Sequence, residues 1–265
     1  MSSSKHVVFD IVGTLVAYDH VFDAIDARLG DRLRAEGIKP RLLGYTWMEA
    51  AEREYTNLSL AQSYVPFGEV FRALFYRMLW MAGIAEPRTW ASPEDLEYIM
   101  AEYQLLEFRP DAAECVQKLR DAGFTVWAFT AADINRVGGY FKNAGVELPA
   151  ENLLSCDDVG VGKPDLAAYR PLLEKLKSEN NGKTPWFAAA HMWDVSAARK
   201  VGYVFHSCAI CCQLLLLTPL LYRFKGAYCS VWEKESLSEL FGEMDVMDES
   251  LPGMADKIIA HQASS

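Results

Sequence analysis

Four short apolar segments, far apart in the sequence and separated by polar stretches, set the pattern of this chain. They read HVVFDIV at 6–12, FTVWAFT at 124–130, PWFAAA at 185–190 and GAYCSVW at 226–232. Strands that are apolar on both faces and alternate with helices are typical of a parallel sheet covered on two sides. Stretches with a helical period predict the connecting helices, at 109–123, 133–145, 165–181 and 194–202. We therefore predict an α/β fold with a Rossmann-like parallel sheet.

The block at 17–107 has no strand pattern, is helical in period and is rich in aromatic residues. Its size predicts a separate helical cap, inserted after the first strand and placed over the carboxyl end of the sheet. Most of its aromatic side chains are expected to form the core of the cap itself. The predicted Rossmann-like core domain then comprises 1–16 and 108–265.

An atypical insertion at 203–223, YVFHSCAICCQLLLLTPLLYR, separates a predicted helix from the next strand. Such a connection normally takes a few residues. We interpret the insertion as a retained intron translated in frame, since its removal leaves ARKVGFKGAYC, a helix-to-strand turn. The alternative is a hydrophobic hairpin used for association. Its apolar part is too short to span a membrane.

Composition narrows the classes of partner. The net charge of -10 and the pI near 5.0 argue against nucleic acid and anionic membrane surfaces. The six cysteines form no paired framework, and no second Cys/His cluster completes a zinc site with CAICC. The amino terminus lacks the apolar segment of a secretion signal, so we expect a cytoplasmic protein.

Candidate chemistry lies where the predicted strands end, because open parallel sheets bind ligands at the carboxyl ends of their strands. Asp10 follows the first apolar run, and Gly13 leaves room for a ligand nearby. Thr130 ends the second run, and a loop with His191 and Asp194 follows the third.

Each candidate also has a purely structural interpretation. Asp10 could be a turn residue, the hydroxyl of Thr130 could satisfy the backbone, and Asp194 could cap a helix. Lys163, in the glycine-rich stretch VGVGKPD, could neutralise a carboxylate or be solvated.

The ordered combination of FDIVGTL, Thr130, KPD and WD resembles the haloacid dehalogenase superfamily of aspartate-nucleophile hydrolases. Within it the sequence is most similar to the 2-haloacid dehalogenases. FDIVGTL resembles their FDAYGTL, and YTW at 45–47 matches a tripeptide of their cap. KPDLAAY keeps their lysine and a tyrosine, Tyr169, and AAHMWDVSAA corresponds to their SSNAWDATGA.

The resemblance implies a covalent mechanism. Asp10 would displace halide from an sp³ carbon, and water would hydrolyse the resulting aspartyl ester. The resemblance implies that Lys163 and Thr14 hold Asp10. Thr130 and backbone amides would bind the substrate carboxylate. Asp194 and His191 would position the water.

The resemblance also implies the substrate and halide contacts. Arg41 of the cap is expected to hold the halide, with Lys39 as the alternative. We expect three further residues to contribute to the same pocket: Val12, Tyr169 and Ala131. A small carboxylic-acid substrate is implied, with no cofactor, no metal, no nucleic acid and no membrane. A homodimer is one open expectation for the assembly.

Several positions depart from the superfamily. Val12 stands where its phosphatases carry a second aspartate as general acid, and Ala190 where their first late metal-binding acid would fall. These two changes favour metal-independent chemistry over the alternative of a phosphatase of the same superfamily. Ala131 replaces the dehalogenase asparagine, and Ala189 and His191 replace the late serine and asparagine. A non-catalytic binding protein that keeps the pocket is the other alternative.

Overall fold

The computed structural model describes residues 5–179, 183–201 and 222–263. Six strands form one sheet in the order β3-β2-β1-β4-β5-β6. The strands are β1 (Lys5–Phe9), β2 (Phe124–Thr130), β3 (Leu153–Ser155), β4 (Trp186–Ala189), β5 (Lys225–Cys229) and β6 (Val246–Asp248). β1 pairs with β2 and β4, and β5 with β4 and β6, all in parallel. The predicted α/β fold with a parallel sheet is confirmed.

Eleven α-helices are present in the described part of the chain. They are α1 (Asp19–Ala35), α2 (Pro40–Leu60), α3 (Phe67–Met81), α4 (Pro87–Trp90), α5 (Pro93–Tyr103), α6 (Ala112–Asp121), α7 (Ile134–Asn143), α8 (Leu166–Glu179), α9 (Met192–Lys200), α10 (Ser238–Phe241) and α11 (Leu251–Ala263). The four predicted connecting helices correspond to α6, α7, α8 and α9, so their existence is confirmed, although α9 begins two residues before its predicted start.

Three predicted strands run past the observed ones, and for β4 the difference is one residue at each end. β1 ends at Phe9, and the chain turns after Asp10 through Gly13, whose φ of 95° lies in the left-handed region that glycine adopts without strain. β5 ends at Cys229 rather than at 232, and a turn follows. The strands β3 and β6 were not predicted, because three residues are too few for a recognisable pattern.

The chain divides into two compact units. The first comprises Met1–Asp10, Glu114–Ala128 and Lys163–Ser265, and the second comprises Ile11–Ala113 and Phe129–Gly162. These bounds differ from the sequence-based division at 17 and 107, which stays a prediction. Most of the predicted insertion at 203–223 lies outside the described residues.

The first unit is built on the central strand β1, whose last four residues are buried. Phe9 lies opposite Ala128 of β2 and Ala188 of β4, so Asp10 emerges at the carboxyl end of β1. The side chain of Phe187 on β4 contacts Tyr169 and Phe224 edge-on. A parallel sheet is covered on both faces, which explains why its strands carry apolar side chains on both sides.

The second unit contains α1 to α5, and residues 17–107 form no strand, as predicted. Its aromatic residues form a core: the rings of Trp47 and Phe71 stack at 4.1 Å, and the indole N–H of Trp47 donates to the Phe71 carbonyl at 2.8 Å. Phe75 packs beside Trp47 at 5.3 Å. The prediction that most aromatics of this block form its own core is confirmed for these residues.

Across the described residues, the structure contains no helix that combines the length and apolar character needed to cross a membrane.

Candidate active site

The carboxylate of Asp10 is held at the end of β1. Its backbone N–H donates to the carbonyl oxygen of Ala188 at 3.0 Å, which continues the pairing of β1 with β4 by one residue. The side chain is 10% exposed. An ionised carboxylate that has lost most of its water needs a nearby positive charge or hydrogen-bond donors.

Lys163 supplies that positive charge. Its Nζ atom lies 2.9 Å from Oδ1 of Asp10 and 2.8 Å from Oδ2 of Asp194. The lysine side chain is 2% exposed, and its ammonium lies 5.3 Å from the centre of the Phe187 ring. Because one ammonium serves two carboxylates, Lys163 fixes the positions of both.

Asp194 is the most deeply buried member of this group, with a side chain that is 0% exposed. The hydroxyl of Tyr169 donates to its Oδ1 at 2.5 Å. Burial raises the pKa of the Asp194 carboxyl to about 6, because the charged form loses its hydration. The charge of Lys163 opposes this rise, and the charge of Asp10 adds to it. We call Asp10, Lys163, Asp194 and Tyr169 the carboxylate–lysine cluster.

The start of α9 corrects one sequence-based expectation. Asp194 was expected in the loop with His191, or as a helix cap, but α9 begins at Met192, which places Asp194 in its first turn. The N-cap residue is His191, which is buried and makes no side-chain capping bond. Asp194 therefore projects from a helix rather than from a loop.

In the second unit, Thr14 follows a tight turn. The N–H of Gly13 donates to the Val16 carbonyl at 2.8 Å, and the N–H of Thr14 to the Ile11 carbonyl at 3.2 Å. Arg109 donates from its guanidinium to the carbonyl oxygens of Thr14 and Gly13, each at 3.0 Å. Arg109 was not singled out from the sequence, because a lone arginine ahead of a helix carries no signal of such a role.

Three further candidates lie in the second unit. Thr130 is buried at the end of β2, and its hydroxyl accepts the N–H of Ala132 at 3.1 Å. The backbone contact is the structural interpretation considered above, and it leaves the hydroxyl hydrogen available as a donor. Ala131 follows Thr130 and is half-buried. Val12 is half-buried, and its carbonyl accepts the Tyr18 hydroxyl at 3.4 Å.

The two basic candidates for halide binding are both exposed. Arg41 lies in the first turn of α2, forms an ion pair with Asp19 at 2.7 Å and is 64% exposed. Its guanidinium also lies 5.2 Å from the ring of Phe22. Lys39 is the N-cap residue of α2. The structure gives neither residue a contact that decides between them, and the halide role of Arg41 stays a prediction.

The structure thus brings four of the predicted residues together, Asp10, Lys163, Asp194 and Tyr169. Within the described ranges, no group of three or more His, Cys, Asp or Glu side chains is placed to hold a metal ion. The expectation of metal-independent chemistry rests on other grounds and stays a prediction, as do the catalytic roles of the individual residues.

Comparison with known proteins identifies the class. Residues 4–202 match the haloacid dehalogenase-like hydrolase family. The chain therefore belongs to this hydrolase family, as the motifs predicted.

Curated relatives refine the comparison. The chain is 24% identical over 206 residues to (S)-2-haloacid dehalogenase 2 of Pseudomonas sp. (strain CBS-3), which covers 77% of this chain and 82% of that protein. It is 29% identical over 105 residues to (S)-2-haloacid dehalogenase 4A of Burkholderia cepacia, a match that spans 40% of this chain and 45% of that protein.

Solved structures agree on the fold. The L-2-haloacid dehalogenase of Xanthobacter autotrophicus superposes with a TM-score of 0.66 at 21% identity, covering 96% of this chain and 98% of that one. A second structure of that enzyme carries chloropropionic acid covalently bound. The resemblance to 2-haloacid dehalogenases stated from the motifs is confirmed.

Proposed function

We propose that this chain hydrolyses the carbon–halogen bond of small 2-haloacids through a covalent ester on Asp10. One carboxylate oxygen of Asp10 attacks the carbon that carries the halogen, and the halide leaves with the bonding electron pair. Water then attacks the carbonyl carbon of the aspartyl ester. The products are a 2-hydroxy acid, a halide ion, a proton and the regenerated Asp10.

The observation that carries the proposal is the ion pair between Lys163 and Asp10 at 2.9 Å, with both side chains buried. A carboxylate is a nucleophile only when ionised, and burial alone would favour its protonated form. The ammonium lies beside the attacking carboxylate and holds it in place, while burial keeps that carboxylate poorly hydrated. Both conditions favour attack on an sp³ carbon.

Asp194 promotes the hydrolysis of the ester. With a pKa raised by burial to about 6, its carboxylate is a stronger base than an ordinary aspartate and is still ionised at neutral pH. Tyr169 and Lys163 hold its two oxygens and fix its orientation. In this scheme Asp194 orients and activates the attacking water, and Tyr169 acts as a positioning residue rather than as a halide contact.

The remaining roles follow the family resemblance. Thr130 and nearby backbone amides bind the substrate carboxylate, Thr14 assists Asp10, and Arg41 holds the departing halide. His191, the N-cap residue of the helix that carries Asp194, is the proposed partner of Asp194 in positioning the water. Val12 offers no proton to a leaving group, which suits halide, a leaving group that needs no protonation. The reaction as proposed uses no metal ion.

Halide release tests the function. The wild-type chain is incubated with 2-chloropropionate, 2-bromopropionate and chloroacetate, and halide and hydroxy acid are measured in equal amounts. Asp10→Asn is expected to abolish release, whereas the exposed Asp23→Asn, a matched control, retains it. Parallel assays with p-nitrophenyl phosphate, with and without EDTA, test the phosphatase alternative. Metal-dependent phosphate release with no halide release from any acid would overturn the proposal.

A further inference from the structure

The N-terminus of α9 is capped by a residue from a distant part of the first unit. The N-cap residue His191 makes no side-chain capping bond, and the first N–H groups of a helix have no partner within it. The N–H of Met192 instead donates to Oε2 of Glu233 at 3.2 Å. Glu233 is half-buried and lies in the segment that follows β5.

Glu233 is itself held in place. The hydroxyl of Tyr228, on β5, donates to the same Oε2 atom at 3.2 Å. Burial raises the pKa of the Tyr228 hydroxyl, and the negative charge of Glu233 adds to this rise, so Tyr228 stays a donor. The N–H of Leu237 contacts Sδ of Met192 at 3.0 Å. The segment from Glu233 to Leu237 therefore contacts Met192, the first residue of α9, through two hydrogen bonds.

The first turn of α9 is also the turn that carries Asp194. Asp194, whose carboxylate contacts Lys163, lies two positions after Met192, whose amide Glu233 binds. A shift of this turn therefore moves Asp194 relative to Asp10. Displacements of about 1 Å at supporting positions can lower turnover by about a hundredfold.

We propose that Glu233 is a positioning residue: it fixes the first turn of α9, and with it Asp194. The catalytic consequence of this positioning rests on the proposed function. The contact between Glu233 and the Met192 amide can be tested without turnover.

Kinetics test the positioning. Glu233→Ala is expected to lower kcat for 2-chloropropionate about tenfold or more, with KM changed less than about threefold, because the substrate contacts remain. Glu233→Gln keeps an acceptor oxygen and restores most of kcat. Glu235→Ala, an exposed neighbour in the same segment, behaves as the wild type. Equal kcat in Glu233→Ala and the wild type, or no rescue by glutamine, would overturn this role.

Nuclear magnetic resonance tests the contact without turnover. The chain is labelled with [¹⁵N]methionine, and the Met192 amide is assigned through Met192→Leu. The resonance of this amide is expected to move in Glu233→Ala, which removes its hydrogen-bond acceptor, and to stay in place in Glu235→Ala. An unmoved resonance in Glu233→Ala would refute the positioning role. A chain that releases no halide but shows the expected pattern would refute the proposed function alone.

Discussion

The Nζ atom of Lys163 lies 2.9 Å from the carboxylate of Asp10, and both side chains are buried. The same ammonium contacts Asp194 at 2.8 Å, so the cluster holds two carboxylates and one cation. Such a cluster is costly to bury, because each charge loses its hydration. Its placement at the carboxyl end of the central strand is what the proposed chemistry requires.

Lys163→Met is expected to lower the free energy of unfolding by about 3–5 kcal/mol at neutral pH, because it leaves two buried carboxylates without a counter-ion. The loss should be smaller near pH 5, where protonation relieves the repulsion. Urea unfolding measures both values. The exposed Lys177→Met serves as control. Equal stability of the two variants would show that the ion pairs contribute nothing.

Activity should fall as the pH falls through about 6, because Asp194 loses its charge there and no longer acts as a base. Because the carboxylates interact, the observed pKa belongs to the cluster. The measurement is kcat/KM for 2-chloropropionate against pH. A profile that stays flat down to pH 4 would contradict the role of Asp194.

The free energy of unfolding should also depend on the ionisation of Asp194, but in the direction opposite to that of activity. The folded pKa of Asp194 lies above its ordinary value of 3.8, so the folded state holds this proton more tightly than the unfolded state. Its contribution is therefore most favourable below pH 4 and is lost as the pH rises to about 6. Comparing pH-dependent unfolding of the wild type and Asp194→Asn isolates this contribution. No difference between their slopes in this window would contradict the raised pKa.

Tyr169→Phe removes a hydrogen bond that stabilises the charged form of Asp194. The acid limb of kcat/KM is therefore expected to move to higher pH, while activity on the plateau is partly retained. Tyr98→Phe, at an exposed position of α5, is the control. An acid limb at the same pH as in the wild type would mean that Tyr169 does not affect the pKa of Asp194.

Arg109→Met is expected to lower the free energy of unfolding by about 2 kcal/mol, since it removes two charge-assisted bonds to the carbonyls of Gly13 and Thr14 at a half-buried site. It should also lower kcat, because the turn that carries Thr14 loses its support. Arg170→Met, at an exposed position of α8, is the control for both measurements. Unfolding curves of the two variants that coincide would contradict the role of Arg109.

Sequence patterns predicted the parts of the fold that depend on local periodicity. The strands β1, β2, β4 and β5 were recognisable because each is a buried apolar run between helices. β3 and β6 contain three residues each, and their pairing depends on the strands beside them. The end of β1 at Phe9 depends on the turn through Gly13, which the pattern of hydrophobic residues does not show.

The site was predicted only in part, because some of its residues stand in local motifs and others depend on contacts between distant parts of the sequence. Asp10 and Lys163 stand out in motifs, and their contact follows from the fold that the motifs indicate. The start of α9 at Met192, two residues before Asp194, was missed, because the N-cap residue is a histidine with no side-chain capping bond. Its cap comes from Glu233, 41 residues beyond Met192, and no local pattern reveals such a contact.

The most direct test of the account is the fate of oxygen at Asp10 in a single turnover. The chain, in molar excess over 2-chloropropionate, reacts in H₂¹⁸O, and the lactate and the peptide containing Asp10 are analysed by mass spectrometry. The account predicts ¹⁸O in the Asp10 carboxylate and an unlabelled hydroxyl on the lactate. An unlabelled Asp10 peptide with ¹⁸O in the lactate hydroxyl would contradict it, since water would then have attacked the substrate directly.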